Sequence, residues 1–159
     1  LLSVWAHYRQ QNPGAELLLV GGGEEEERLR AMAGEGVHFT GSVTDVLPYL
    51  QAADIFVLPS FTEGLSVALL EAMSCGLVPL LTDVGGAREV ATHGENAWLI
   101  PSNDGDALLA GVAALFEDRQ MLIERGQAAR RRVVEKFSIQ AAAKQLSDLY
   151  FELTLRKKR

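Results

Sequence analysis

Two glutamates, Glu63 and Glu71, bracket the apolar run Gly64-Leu-Ser-Val-Ala-Leu-Leu70, which continues to Met73 and reads as a helix. Before it, Asp54-Ile-Phe-Val-Leu-Pro-Ser60 is a short apolar run closed by Pro59 and Ser60, the pattern of a buried parallel strand. A strand feeding a helix in this way turns the free amides of Gly64, Leu65 and Ser66 outward at the carboxyl edge of a sheet, where helix N-termini bind phosphate groups. Glu71 lies about 7.5 Å further along the axis than Ser66, and a carboxylate accepts well from paired hydroxyls. The spacing fits an extended sugar nucleotide, with its hexose near Glu63, its diphosphate over the amides and its ribose near Glu71. The same glutamates have a plainer explanation: Glu63 opposes the positive end of the helix dipole, and Glu71 is solvated surface. On these residues alone both explanations stay open.

Positioning such a site requires a sheet. Apolar runs at Leu17 to Val20, Val37 to Thr40, Asp54 to Leu58, Val78 to Thr82 and Ala97 to Ile100 read as strands separated by helical pattern. That alternation gives an α/β fold, Rossmann-like, with a parallel sheet between two helical layers. Three helices follow without strands, from about Asp106, Arg119 and Ser138. The last carries Ile139, Ala142, Ala143, Leu146, Leu149, Tyr150 and Leu153 as one stripe, with Ser138 as its cap. Near the start, Leu1, Trp5 and Tyr8 share a helical face with no strand before it, whereas a parallel sheet normally begins with one. The chain therefore reads as the back part of a longer protein.

The stretch PSFTEGLSVALLEAMSCGLVPLLTDVGGAREV resembles the donor-binding core of family 4 glycosyltransferases, which have the GT-B fold. The shared pattern is PS, two residues, EG, a second Glu after seven residues, a Gly, a strand, and GG followed by Glu. The resemblance extends from Gly21 through the closing helices. It implies that the whole chain, 1–159, is the nucleotide-sugar binding lobe, lacking its first strand and the N-terminal acceptor lobe. Carried over, Glu63 contacts the transferred sugar as the catalytic residue, Gly64, Leu65 and Ser66 hold the phosphates, and Glu71 takes the ribose hydroxyls. Ser60, Gly21 and Gly23 join the donor-binding set, with Gly85, Gly86 and Glu89 as further candidates. Leu65-Ser66 departs from the pattern, since an aromatic residue and a glycine are common there, so the pocket is expected to be shaped differently.

The implied reaction is transfer of a hexose from a UDP-, GDP- or ADP-sugar with retention of configuration and without a metal or other cofactor. The acceptor, a glycan or a lipid-linked molecule, would bind mainly through the missing lobe. A sugar-nucleotide epimerase of similar fold and a non-catalytic nucleotide-binding domain are the alternatives. Glu63-Gly-Leu-Ser fits donor holding better than the acid and base an epimerase needs. A carboxylate about 6 Å from a phosphate charge costs about 2.8 kcal/mol at an effective dielectric of 20, while a helix terminus returns about 0.3 to 1 kcal/mol. Cationic help must come from elsewhere. In the resembled family it is an Arg and a Lys after the first strand, so this chain alone is expected to have little or no activity.

Other motifs have simpler explanations. Gly21-Gly22-Gly23 lacks the third glycine of a dinucleotide fingerprint, which leaves a tight turn or the lining of the nucleotide end of the cleft. Asp83-Val-Gly-Gly86 reads as a turn and helix start or as a loop beside the cleft. Asp104-Gly-Asp106 imitates a metal-binding D-x-D but sits where helix capping is needed. His7, His38 and His93 have no partners at zinc spacing, and Ser60, Ser66 and Ser74 lack the G-x-S-x-G context of a hydrolase. Glu24 to Glu27 reads as a solvated first helical turn.

Across 159 residues, 48% hydrophobic, the chain is long enough for one domain with a buried core. A net charge of −6 argues against a nucleic-acid surface. The single cysteine, Cys75, allows no internal disulfide, and no apolar run approaches 20 residues. A cytoplasmic chain is expected, with the basic run Arg156-Lys-Lys-Arg159 either complementing a helix C-terminus or touching an anionic membrane at its cytoplasmic face.

Overall fold

The computed structural model describes residues 1–156, so Lys157, Lys158, Arg159 and the side chain of Arg156, the basic run discussed above, lie outside the described residues. The elements are α1 (Leu2–Gln11), β1 (Leu17–Leu19), α2 (Glu26–Met32), β2 (Val37–Phe39), α3 (Leu47–Ala52), β3 (Ile55–Leu58) and α4 (Val67–Ser74), followed by β4 (Val78–Thr82), α5 (Ala87–Val90), β5 (Trp98–Ile100), α6 (Gly105–Glu117), α7 (Arg119–Lys136) and α8 (Ile139–Arg156). Each run read as a strand forms one.

The pairings between these strands are parallel, as helical crossovers require. β1 pairs with β2, placing Leu17 opposite Val37. β4 lies between β3 and β5, with Ile55 opposite Val78 and Leu80 opposite Trp98. Among the described residues β1-β2 and β3-β4-β5 are separate hydrogen-bonded sheets. A doubly wound order of 3-2-1-4-5-6 contains these as its 3-2 and 4-5-6 parts.

The two-residue strand period sorts side chains between two cores. Val78, Leu80 and Ile100 enter one cluster with Trp5, Tyr8, Leu108 and Leu115, so α1 and α6 cover that face. Leu81 enters the other with Leu69, Met73, Val90, Ala129 and Val133, from α4, α5 and α7. β3 follows the same alternation: Ile55 and Val57 pack on the first cluster, Phe56 and Leu58 on the second. β4 is buried at all five positions, which is why it reads as an unbroken apolar run.

The starts of α6, α7 and α8 are set by side-chain caps. Asp104 Oδ1 accepts from Ala107 N at 2.8 Å, so the D-x-D imitation is a helix cap, and Asp118 Oδ1 accepts from Met121 N at 3.0 Å. Ser138 Oγ accepts from Ala141 N at 3.2 Å. The stripe on α8 is solvent-facing, with Ile139, Leu146, Leu149, Tyr150 and Leu153 all exposed. The acid run opens α2, where Glu25 and Glu26 pair with Arg28 and Arg30.

Two glycines let helices approach. Gly111 on α6 faces Leu80 Cδ1, which a methyl would meet at 2.7 Å. At Gly126 on α7, a methyl would overlap the Gly76 carbonyl oxygen and lie 3.2 Å from its carbon. Alanine at 126 gains about 1 kcal/mol of helix propensity, but backbone overlap of this kind costs about 1 to 3 kcal/mol or more. Gly126→Ala should therefore lower stability in urea denaturation, whereas Gln127→Ala on the exposed face should not. A stabilised Gly126→Ala would contradict the packing described.

Candidate active site

The residues between β3 and α4, 59–66, form the rim of the site. α4 starts at Val67 because Ser66, in extended conformation, caps it: Ser66 Oγ accepts from Leu69 N at 3.3 Å. The cap is thus Ser66, and Glu63 belongs to the loop before it. Among the described residues, the amides of Gly64, Leu65, Ser66, Val67 and Ala68 have no acceptor within the chain. The free amides anticipated from sequence at Gly64 to Ser66 are thus extended by two residues, which leaves a row of donors at the positive end of the helix dipole.

These groups surround an open hollow of about 260 Å³. Glu63, Gly64, Leu65 and Ser66 form its rim, Ser60 and Gly86 its sides, and Leu58, Leu69 and Leu81 its apolar floor. The hollow is shallow and open to solvent, so it suits one part of a larger ligand. Glu63 is half-buried and has no side-chain partner among the described residues. Among the described residues, no lysine or arginine lines the hollow.

The loop is tied to the strand beside it. Thr82, buried to 4% exposure, donates its hydroxyl to the Ser60 carbonyl at 2.5 Å, with the Leu58 carbonyl 3.5 Å away. A buried hydroxyl needs such a partner. Gly86 N donates to the Gly64 carbonyl at 3.2 Å. Sequence reasoning recognised Thr82 only as a strand end. The usable signal was a hydroxyl closing an otherwise apolar buried strand.

The other candidates stand apart from the hollow. Glu71 is exposed on the second turn of α4 and does not line it. Gly85 lies against the Glu63 backbone. Glu89 is exposed on α5, and its carbonyl accepts from Arg132 at 2.8 Å. Gly21, at φ +121°, donates its amide to the Gly41 carbonyl at 3.1 Å, so Gly21 to Gly23 belong with the turn after β2. Among the described residues, no three His, Cys, Asp or Glu side chains cluster as a metal site. His93 Nδ1 accepts from Leu99 N at 3.1 Å and His38 bonds Glu16 at 2.7 Å, so both have structural partners.

Arg88 forks onto Asp83, with Nε donating to Oδ1 at 2.7 Å and Nη2 paired with Oδ2. Those hydrogen bonds, reinforced by the opposite charge, hold the Asp83 carboxyl below its ordinary range.

A family model described as "Glycosyl transferases group 1" matches residues 1–118. The chain belongs to this family. The glycosyl transferases group 1 relatives include a GDP-mannose-dependent alpha-(1-6)-phosphatidylinositol monomannoside mannosyltransferase of Mycobacterium tuberculosis, 33% identical over 162 residues covering 93% of this chain and 42% of the relative. Another is the amylovoran biosynthesis glycosyltransferase AmsK of Erwinia amylovora, 32% identical over 154 residues covering 89% and 38%. This group 1 chain spans about two fifths of the length of such relatives. In fold it matches sucrose-phosphate synthase from Thermosynechococcus elongatus, with TM-score 0.83 and 29% identity over 98% of this chain and 42% of the other. It also matches the C-terminal domain of the group 1 protein LpcC from Francisella tularensis, with TM-score 0.76 and 19% identity over 87% and 77%. The fold is therefore that of the C-terminal GT-B lobe, as the resemblance implied.

Two outcomes are expected of this geometry. Thr82→Val keeps the shape but removes the hydroxyl, so stability should fall by about 1 kcal/mol and amide exchange should quicken at Gly86, whose N–H is bonded to the Gly64 carbonyl of the loop. Unchanged exchange there would show that the tie does not hold the loop. Because the folded Asp83 is depressed, its contribution is present at neutral pH and is lost as pH falls from the ordinary carboxylate value through the lower folded one. A carbon-detected titration should give Asp83 a midpoint below 3.8, rising in Arg88→Ala; equal midpoints would contradict the pairing.

Proposed function

We propose that this chain is the donor-binding lobe of a glycosyltransferase that moves a hexose from a nucleotide sugar to an acceptor with retention of configuration. The observation that carries the reading is the row of unpaired amides at the start of α4, below Glu63, in a group 1 chain. The amides of Gly64, Leu65 and Ser66 receive the diphosphate, Glu63 faces the sugar, and Glu71 accepts from the ribose hydroxyls. Ser60 closes the wall of the donor site, while Gly21, Gly23, Gly85, Gly86 and Glu89 border the cleft. Support for a nucleotide ligand comes from the fold match to the Anabaena protein HepE, solved in complex with UDP, at TM-score 0.84 and 22% identity over 94% of this chain and 44% of the other. Family membership favours transfer over epimerisation.

In the reaction, the bond from the anomeric carbon to the diphosphate oxygen breaks while the acceptor hydroxyl adds on the same face, and its proton passes to the leaving phosphate. The role of this lobe is electrostatic: donors fixed in place before charge develops on the diphosphate. The amides alone fall short, because no cation among the described residues lines the hollow and Glu63 adds negative charge. The cations, one further strand between β1 and β3, and the acceptor site are assigned to an N-terminal portion of the whole protein. Among the described residues no helix is long and apolar enough to cross a membrane, so a lipid-linked acceptor would be met from the surface.

Calorimetric titration with UDP, GDP, ADP and their sugar derivatives, with and without EDTA, tests the reading. One nucleotide should bind weakly and without a metal. Its affinity should fall about tenfold in Glu71→Ala, as expected for loss of hydrogen bonds to a charged group. In the whole protein, Glu63→Gln should impair transfer more than donor binding. Equal affinity in Glu71→Ala would remove the ribose contact, and absence of nucleotide binding by the whole protein would overturn the donor assignment.

A further inference from the structure

Glu63, Gly64 and Leu65 present groups to the hollow, yet nothing in their own side chains fixes where that backbone lies. It is fixed by the segment that follows β4. A Cβ at Gly85 would overlap the Glu63 carbonyl oxygen and sit 2.8 Å from its carbonyl carbon, so the Glu63–Gly64 peptide rests on the Gly85 α-carbon. Gly85 itself is left-handed, at φ +54°. At Gly86 the amide donates to the Gly64 carbonyl at 3.2 Å, and a Cβ would stand 3.0 Å from that oxygen and 3.6 Å from Leu65 N. Thr82 holds the other end of the loop through the Ser60 carbonyl. The supporting segment is itself anchored, since Asp83 N donates to the Ile100 carbonyl at 2.8 Å and Ala87 and Val90 are buried in the core.

We propose that Gly85 and Gly86 are positioning residues, a seat that sets the plane of the Glu63–Gly64 peptide and so aims the amides at the start of α4 and the Glu63 carboxylate. This rests on the proposed donor site and replaces direct donor contact as the role of Gly85. The seat must lack side chains because what it touches is backbone, which cannot swing aside as a flexible side chain does. A methyl there displaces the loop, and misplacement of about 1 Å can lower a reaction rate about a hundredfold.

The test compares Gly85→Ala and Gly86→Ala with Gly126→Ala, which also drives a methyl into backbone but at Gly76, away from the hollow. For each variant of this chain, the melting midpoint, the amide spectrum and the affinity for the nucleoside diphosphate bound by wild type are measured. All three should melt earlier. Gly85→Ala, and more mildly Gly86→Ala, should shift the Leu65 to Ala68 amide resonances and weaken diphosphate binding tenfold or more, while Gly126→Ala should stay within twofold of wild type. Should Gly85→Ala fail to fold, Gly86→Ala carries the comparison. Wild-type resonances and affinity in the seat variants, or an equal loss in Gly126→Ala, would overturn the inference. If the wild-type chain binds no nucleotide, the donor reading loses its support in this chain, and the amide shifts alone still decide whether the loop is seated on Gly85.

Discussion

Burial of β4 on both faces is the constraint from which the rest of the molecule takes its position. Val78 and Leu80 fix the strand against α1 and α6, and Leu81 fixes it against α4, α5 and α7. Fully buried strands are among the last parts of a protein to open. The residues that leave this strand, Thr82 to Gly86, inherit its rigidity and pass it to the loop 59–66 through one hydroxyl, one amide and one backbone contact. The site thus has its least mobile support directly beneath the donors it presents.

The chemistry follows from what that support leaves unpaired. Helix starts normally satisfy their amides with side chains or water, and here Ser66 satisfies only Leu69 N. Gly64, Leu65 and Ser66 line one hollow together with the apolar side chains of Leu58, Leu69 and Leu81. Glu63 beside them opposes anion binding. A carboxylate in that place is accounted for by a role toward another part of the same ligand, which is why the proposal assigns it to the sugar.

Much of this was legible in the sequence because it is local. Apolar runs placed every strand to within a residue, and Asp104 and Ser138 announced their helices. The motif around Glu63 placed free amides at the entry to α4, where Gly64 to Ala68 have no acceptor among the described residues. What escaped depends on contacts between residues far apart in the chain. The entry to α4 was read at Gly64, yet the Ser66 hydroxyl competes for the helix amides and delays the start to Val67. Gly85 looked like an ordinary turn glycine because its reason, the Glu63 carbonyl, lies 22 positions earlier. The break between β1 and β3 left no trace in the hydrophobic pattern, and only the family resemblance implied a missing strand.

The measurement that bears most directly on the account is the amide spectrum of this chain during addition of a nucleoside diphosphate. The resonances of Gly64 to Ala68 should move first and furthest, with Gly86 following because it is bonded to Gly64. Shifts confined to other surfaces, with the start of α4 unmoved, would contradict the claim that these unpaired amides are the phosphate site.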